Sequence, residues 1–128
     1  MSDVDATVAD EAAAPQLVYG NCAEFFDLYL RHLYARQVNG AGTHWSDKWW
    51  ESAEAIYRID ALWRAWEHLR LDGALGASTW LRDHADYHMG VLMGSTGPFG
   101  KDDTRRPAGP LPHAMPPPGL FVDERALG

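Results

Sequence analysis

The densest run of chemistry-bearing side chains is Arg82-Asp83-His84-Ala85-Asp86-Tyr87-His88. On a continuous helix His84 and His88 share a face one turn apart, and histidines so spaced can chelate a metal. A zinc site needs at least three protein ligands, so His44, His68 or a distant carboxylate would have to complete it. Ala85 follows His84, so the glutamate of a zinc-peptidase helix is missing. The plainer reading packs one histidine at the core edge, with Asp83 and Asp86 capping a helix or pairing with arginine. The sequence therefore implies no metal and no cofactor. Cys22 stands near a helix start, where the dipole lowers a thiol pKa. Its place on an apolar stripe instead marks it as a buried structural thiol. No glycine-rich loop follows a strand, and no two carboxylates stand out as an acid/base pair. Catalysis is not legible in the chain.

The other unusual feature is tryptophan, six residues in 128. Trp49 and Trp50 are adjacent, about 100° apart on a helix, so one core does not readily take both. With Trp45 one turn earlier they form an aromatic patch, a composition favoured at interface hot spots. The partner surface expected from sequence is therefore Trp45, Trp49 and Trp50, joined by Arg64, Arg82, Asp83, His84, Asp86 and His88. Its occupant is an unidentified protein. The alternative stacks single-stranded bases on tryptophan beside Arg58, Arg64, Arg70 and Arg82. The net charge of −7 weighs against it. A metal-dependent enzyme around His84 and His88 ranks last.

Three helical segments must position these residues. Asn21-x-x-Glu24 is a cap signal, and Cys22, Phe26, Tyr29 and Leu33 follow at 4-3-4 spacing. This predicts a helix from about Cys22 to Gln37. Ala55, Ile59, Leu62, Trp66 and Leu69 run 4-3-4-3, with Glu54/Arg58 and Asp60/Arg64 as i,i+4 pairs. They predict a helix over Ser52–Leu71, closed by Asp72-Gly73. A third helix starts at Ser78 or Thr79; periodicity allows it to run straight to Met93 or to break near Asp86, and Met89–Met93 could alternatively be a short strand without a visible partner. Ser46-Asp47 can cap one short turn carrying Trp49 and Trp50. The fold class expected is all-α: a small bundle of three main helices plus short ones.

Charge and proline divide the chain further. Residues 1–15 hold Asp3, Asp5, Asp10 and Glu11 and no base, which reads as a disordered acidic leader. Residues 16–99 form the expected helical domain. Residues 100–128 hold six of the eight prolines and read as a disordered, Pro-rich tail, with Arg105-Arg106-Pro107-x-x-Pro110 similar to a polyproline ligand. A core of that size is only marginally stable alone, and with spare aromatics it could form a homodimer, so the sequence leaves the oligomeric state open. The N-terminus lacks a basic start and an apolar core, no run nears the roughly 20 apolar residues of a membrane span, and one cysteine excludes an internal disulfide. The expected location is cytoplasmic.

Three long motifs carry a family resemblance. They are Ala61-Leu62-Trp63-Arg64-Ala65-Trp66-Glu67-His68-Leu69-Arg70-Leu71-Asp72, then Trp80-Leu81-Arg82-Asp83-His84-Ala85-Asp86-Tyr87-His88-Met89, then Gly97-Pro98-Phe99. With Trp45 and Trp49-Trp50 they resemble the actinobacterial domain-of-unknown-function family numbered 4913, over roughly residues 20–100. That family has no established activity, and its members occur in plasmids, conjugative elements and phages. The resemblance implies an adaptor or accessory role, sometimes beside conjugation. The family usually has Pro where Tyr87 stands, which implies a helix break at Asp86, with Asp86 as cap. Here Gly94-Ser95-Thr96-Gly97 replaces the acidic turn usual before Pro-Phe.

Overall fold

The structure is a computed structural model that describes residues 15–39 and 42–127. Apart from Pro15, the expected leader lies outside them.

Helix α1 joins Cys22–Phe25, a π-helical stretch Phe26–Leu30 and Arg31–Leu33. The Asn21 side chain accepts from the Glu24 amide, satisfying one of the donors that a helix start leaves orphaned. Helix α2 spans Ala53–Leu69, with the Ser52 hydroxyl accepting from Ala55 N at 3.1 Å. Helix α3 joins Gly76–Trp80, a π-helical stretch Leu81–Ala85 and Asp86–Met93. Trp49–Glu51 and Glu124–Ala126 form single 3₁₀ turns. Helix α2 packs against both α1 and α3, and its apolar face delivers Ala55, Ile59, Leu62 and Trp63 to the core. Gly76 permits the close approach of α3 to the end of α2, because a Cβ there would stand 1.9 Å from the Leu69 carbonyl oxygen. Among the described residues no helix is long and apolar enough to cross a membrane.

The structure corrects the sequence reading at four points. First, the fold is not purely helical. Strand β1 (Arg36–Val38) pairs antiparallel with β2 (Arg106–Gly109), with Arg36 opposite Gly109 and Val38 opposite Arg106. Second, α1 stops at Leu33 rather than Gln37, where the buried Tyr34 leaves helical geometry and donates its hydroxyl proton to Asp86. Third, α3 does not break at Asp86. That residue is helical, at φ −62° and ψ −39°, and its amide donates to the Leu81 carbonyl five residues back. With Tyr87 in place of proline, the amide of residue 87 is retained and nothing forces a new helix start.

Fourth, residues 100–128 do not form a free tail. Beyond β2 the chain runs as an arm over the helices. Leu111 is fully buried, its amide donates to the Arg31 carbonyl at 3.0 Å, and its own carbonyl accepts from Arg31 Nε at 2.8 Å. The Ala114 amide donates to the Asp47 carbonyl, and Glu124 N donates to the Gly20 carbonyl. Proline has no amide donor, so a Pro-rich segment buries few unsatisfied groups. That makes it fit to cover a core as well as to extend from one.

Candidate functional site

The three tryptophans expected at a surface face inward. Trp45 and Trp49 are fully buried and Trp50 is half-buried. Their indole N–H groups bond to three successive residues of the arm. Trp45 Nε1 donates to the Pro112 carbonyl at 3.1 Å, Trp49 Nε1 to His113 Nδ1 at 3.0 Å, and Trp50 Nε1 to the Ala114 carbonyl at 2.9 Å. The Trp45 ring stacks on Phe26, with centroids 5.4 Å apart and planes 12° apart, and meets Phe99 edge-on. One small core houses adjacent tryptophans because the arm supplies a second wall. The expected exposed patch is thus already occupied by the chain itself. Indole N–H accepts no proton in return, so His113 Nδ1 must be unprotonated. Burial, the larger cause, and the Arg31 cation push His113 below its ordinary range, against the pull of Asp27 and Asp47.

Most of the remaining expected site residues are engaged in bonds within the fold. Arg64 Nε reaches Asp60 at 2.9 Å, and its two terminal nitrogens grip Glu124 at 3.3 and 2.7 Å. That fork ties α2 to the last turn of the arm. Arg82 is exposed and holds Asp83 at 2.8 Å, which keeps the Asp83 carboxyl below the usual carboxylate range. Asp86 accepts from Tyr34. Arg58 donates to His88 Nδ1 at 2.9 Å and pairs with Glu54. Since guanidinium only donates, His88 there is neutral, with its proton on Nε2. Burial first, then the Arg58 and His84 charges, hold it below its ordinary range. Among the described residues no three His, Cys, Asp or Glu side chains gather at a distance that would hold a metal. Cys22 is buried, and burial pushes its thiol up to about 12, the reverse of what a nucleophile needs.

Sequence reasoning missed Glu67. It is 7% exposed, yet it accepts from the Val18 and Tyr19 amides, Trp63 Nε1 and Arg70 Nε, all at 2.9–3.1 Å. This carboxylate anchors the chain entering α1 onto α2. The i,i+4 and i,i+3 spacing of Trp63, Glu67 and Arg70 was the available signal.

The outward-facing site lies elsewhere. A recess of about 280 Å³ opens where α1, the end of α2 and the start of α3 converge. Tyr29, Trp66 and Trp80 form its walls, Leu33 and Leu81 its apolar rim, and Arg70 and Asp72 its polar edge. The Tyr29 ring lies 5.2 Å from Trp66 and 6.2 Å from Trp80, both tilted. Trp80 is locked in place by its indole N–H on the Leu62 carbonyl at 3.0 Å. Tyr29 lies in the π-helical stretch of α1, and Leu81 opens that of α3. Such π turns shift a helix face by one residue and recur at functional sites; here both aim side chains at one cavity. Its charged edge is spent internally. Arg70 bonds Glu67 and the Gln16 carbonyl, and Asp72 accepts the Ala74 and Leu75 amides. What remains for a guest is aromatic and aliphatic surface.

A family model described as a domain of unknown function (DUF4913) matches residues 19–118 and so takes in both the recess and the arm through Pro118. No curated protein and no solved structure matches. With most of its length matched, from the segment that enters α1 to the prolines of the arm, the chain belongs to the DUF4913 family.

Proposed function

We propose that this protein is a small interaction module, an adaptor without chemistry of its own. It grips an apolar side chain of a protein partner in the recess between Tyr29, Trp66 and Trp80. The observation that carries this reading is the recess itself. Its walls are aromatic and packed ring against ring, with Trp80 fixed by a buried hydrogen bond, while Leu33 (44% exposed) and Leu81 (37% exposed) stand at its rim in water. Rigid aromatic pockets ringed by aliphatics are where interface energy concentrates. Leu71 and Leu75, on the turn beside it, are also exposed and widen the apolar area. The setting we propose, on the family resemblance, is service to a plasmid, conjugative element or phage in an actinobacterial cytoplasm, and the genes beside this one test that.

Panning a displayed peptide library against the purified protein tests the site. Binders should carry a large apolar anchor. Leu33→Asp and Leu81→Asp, both at exposed positions, should each weaken them at least about tenfold, or 1.4 kcal/mol, with the thermal transition unchanged. Binders indifferent to both substitutions would place the partner surface elsewhere.

A further inference from the structure

Six of the nine arginines, namely Arg31, Arg58, Arg64, Arg70, Arg82 and Arg125, are paired with carboxylates. Arg36, Arg105 and Arg106 have no carboxylate partner among the described residues, and all three lie on or beside the two-stranded sheet. Each is exposed. Each guanidinium donates one bond to a nearby backbone carbonyl, from Arg36 to Ala35, from Arg105 to Asn39 and from Arg106 to Arg105, at 2.9–3.3 Å. Those bonds orient the forks and leave most of their donors facing water. The strand irregularity lies between Arg36 and Val38. It lets Val38 enter the core while Arg36, two residues away, stays outside. A shallow cleft of about 250 Å³ runs between the strands, lined by Gln37, Asn39, Arg105 and Arg106.

We infer that this sheet is a phosphate-binding surface for a nucleic-acid backbone. Guanidinium forks match phosphate oxygens two at a time. No large hydrophobic side chain is exposed on either strand among the described residues, so the face lacks the apolar anchor that a protein partner would use. Affinity there must come from charge, as in backbone binding without base readout. The global charge of −7 is less of an obstacle than it looks, because four of the eighteen acids fall within residues 1–15, which leaves fourteen acids against eleven Lys and Arg in residues 16–128. The tryptophans beside the helical arginines play no part, since those arginines are paired internally. The surface is separate from the recess and does not depend on it.

Fluorescence anisotropy of labelled duplex and single-stranded oligonucleotides, titrated with the full chain at low salt, tests the assignment. Binding in the 10⁻⁴ to 10⁻⁶ M range, on the order expected without sequence specificity, should weaken with salt. For three phosphate contacts on duplex DNA, log K against log salt has a slope of about −2.7. Combining Arg36→Gln, Arg105→Gln and Arg106→Gln should lower affinity at least about tenfold and flatten the slope. Arg106→Gln alone should already weaken binding, whereas Lys48→Gln, the same one-charge change away from the sheet, should change little. Circular dichroism and the thermal transition of the triple variant establish that it is folded. No binding at low salt, a folded triple variant that binds like the parent, or polyglutamate bound as tightly as DNA would each overturn the proposal.

Discussion

Leu111 offers the sharpest test of how this protein is held together. Its side chain is fully buried, and its backbone is bonded at both ends to Arg31. Burying a leucine is worth roughly 1.5–3 kcal/mol at about 25 cal/mol per Å². Truncation also leaves a cavity, which brings Leu→Ala substitutions to about 2–5 kcal/mol. Domains near this size unfold with about 5–15 kcal/mol in total, so Leu111→Ala removes a large fraction. At roughly 4–8 °C per kcal/mol, the midpoint should drop by about 8 °C or more. Met115, four residues along the same arm and 75% exposed, is the control. Met115→Ala should stay within about 0.5 kcal/mol. Thermal and urea unfolding, followed by tryptophan emission and far-ultraviolet circular dichroism, read both variants. Because Trp45, Trp49 and Trp50 are the residues that the arm covers, the emission of Leu111→Ala should also shift to the red before the global transition. If Leu111→Ala proved as harmless as Met115→Ala, the arm would be no part of the core, and the inward-facing tryptophan arrangement would fall with it.

Two further outcomes follow from the same contacts. His113 is pushed below its ordinary range in the fold, so the unfolded chain binds its proton more readily. Stability from this group is fully present above the unfolded value near 6.5 and is lost as pH falls from there toward the folded value. His88, shifted the same way, adds to the loss. His113→Gln, which keeps an acceptor for Trp49 Nε1, should flatten the decline in urea midpoint between about pH 7.5 and 5.5, and an unchanged slope would count against the His113 assignment. Glu67→Ala strips the acceptor from two backbone amides, an indole and Arg70. It should cost about 3 kcal/mol or more and raise amide hydrogen exchange at Val18 and Tyr19; unchanged exchange there would refute the anchoring role.

Helix α2 shows what one chain segment states plainly. Its 4-3-4-3 apolar spacing, its Ser52 cap and its Glu54/Arg58 and Asp60/Arg64 pairs all appear where the spacing places them, since each is a local relation within one turn. The start of α1 at Asn21 and the buried thiol of Cys22 were legible for the same reason. The π turns were not, because an i→i+5 bond inserts one residue and leaves no mark on composition. The sheet escaped as well, since Arg106-Pro107-Ala108-Gly109 has poor strand propensity and pairs with β1 only because the arm returns along it. The recess draws Tyr29, Trp66 and Trp80 from three helices, a meeting no spacing within one helix encodes.

Local order, then, was written in neighbouring residues: the course of α2, the caps at Asn21 and Ser52, the apolar stripe and the burial of the lone thiol all follow from contacts a few positions apart. Tertiary structure decided which tryptophans meet solvent. Pro112, His113 and Ala114 lie more than sixty residues from the indoles they receive. Whether a proline-rich segment floats free or covers a core depends on whether folding presents donors for its carbonyls, and that is a property of the assembled surface, not of the segment.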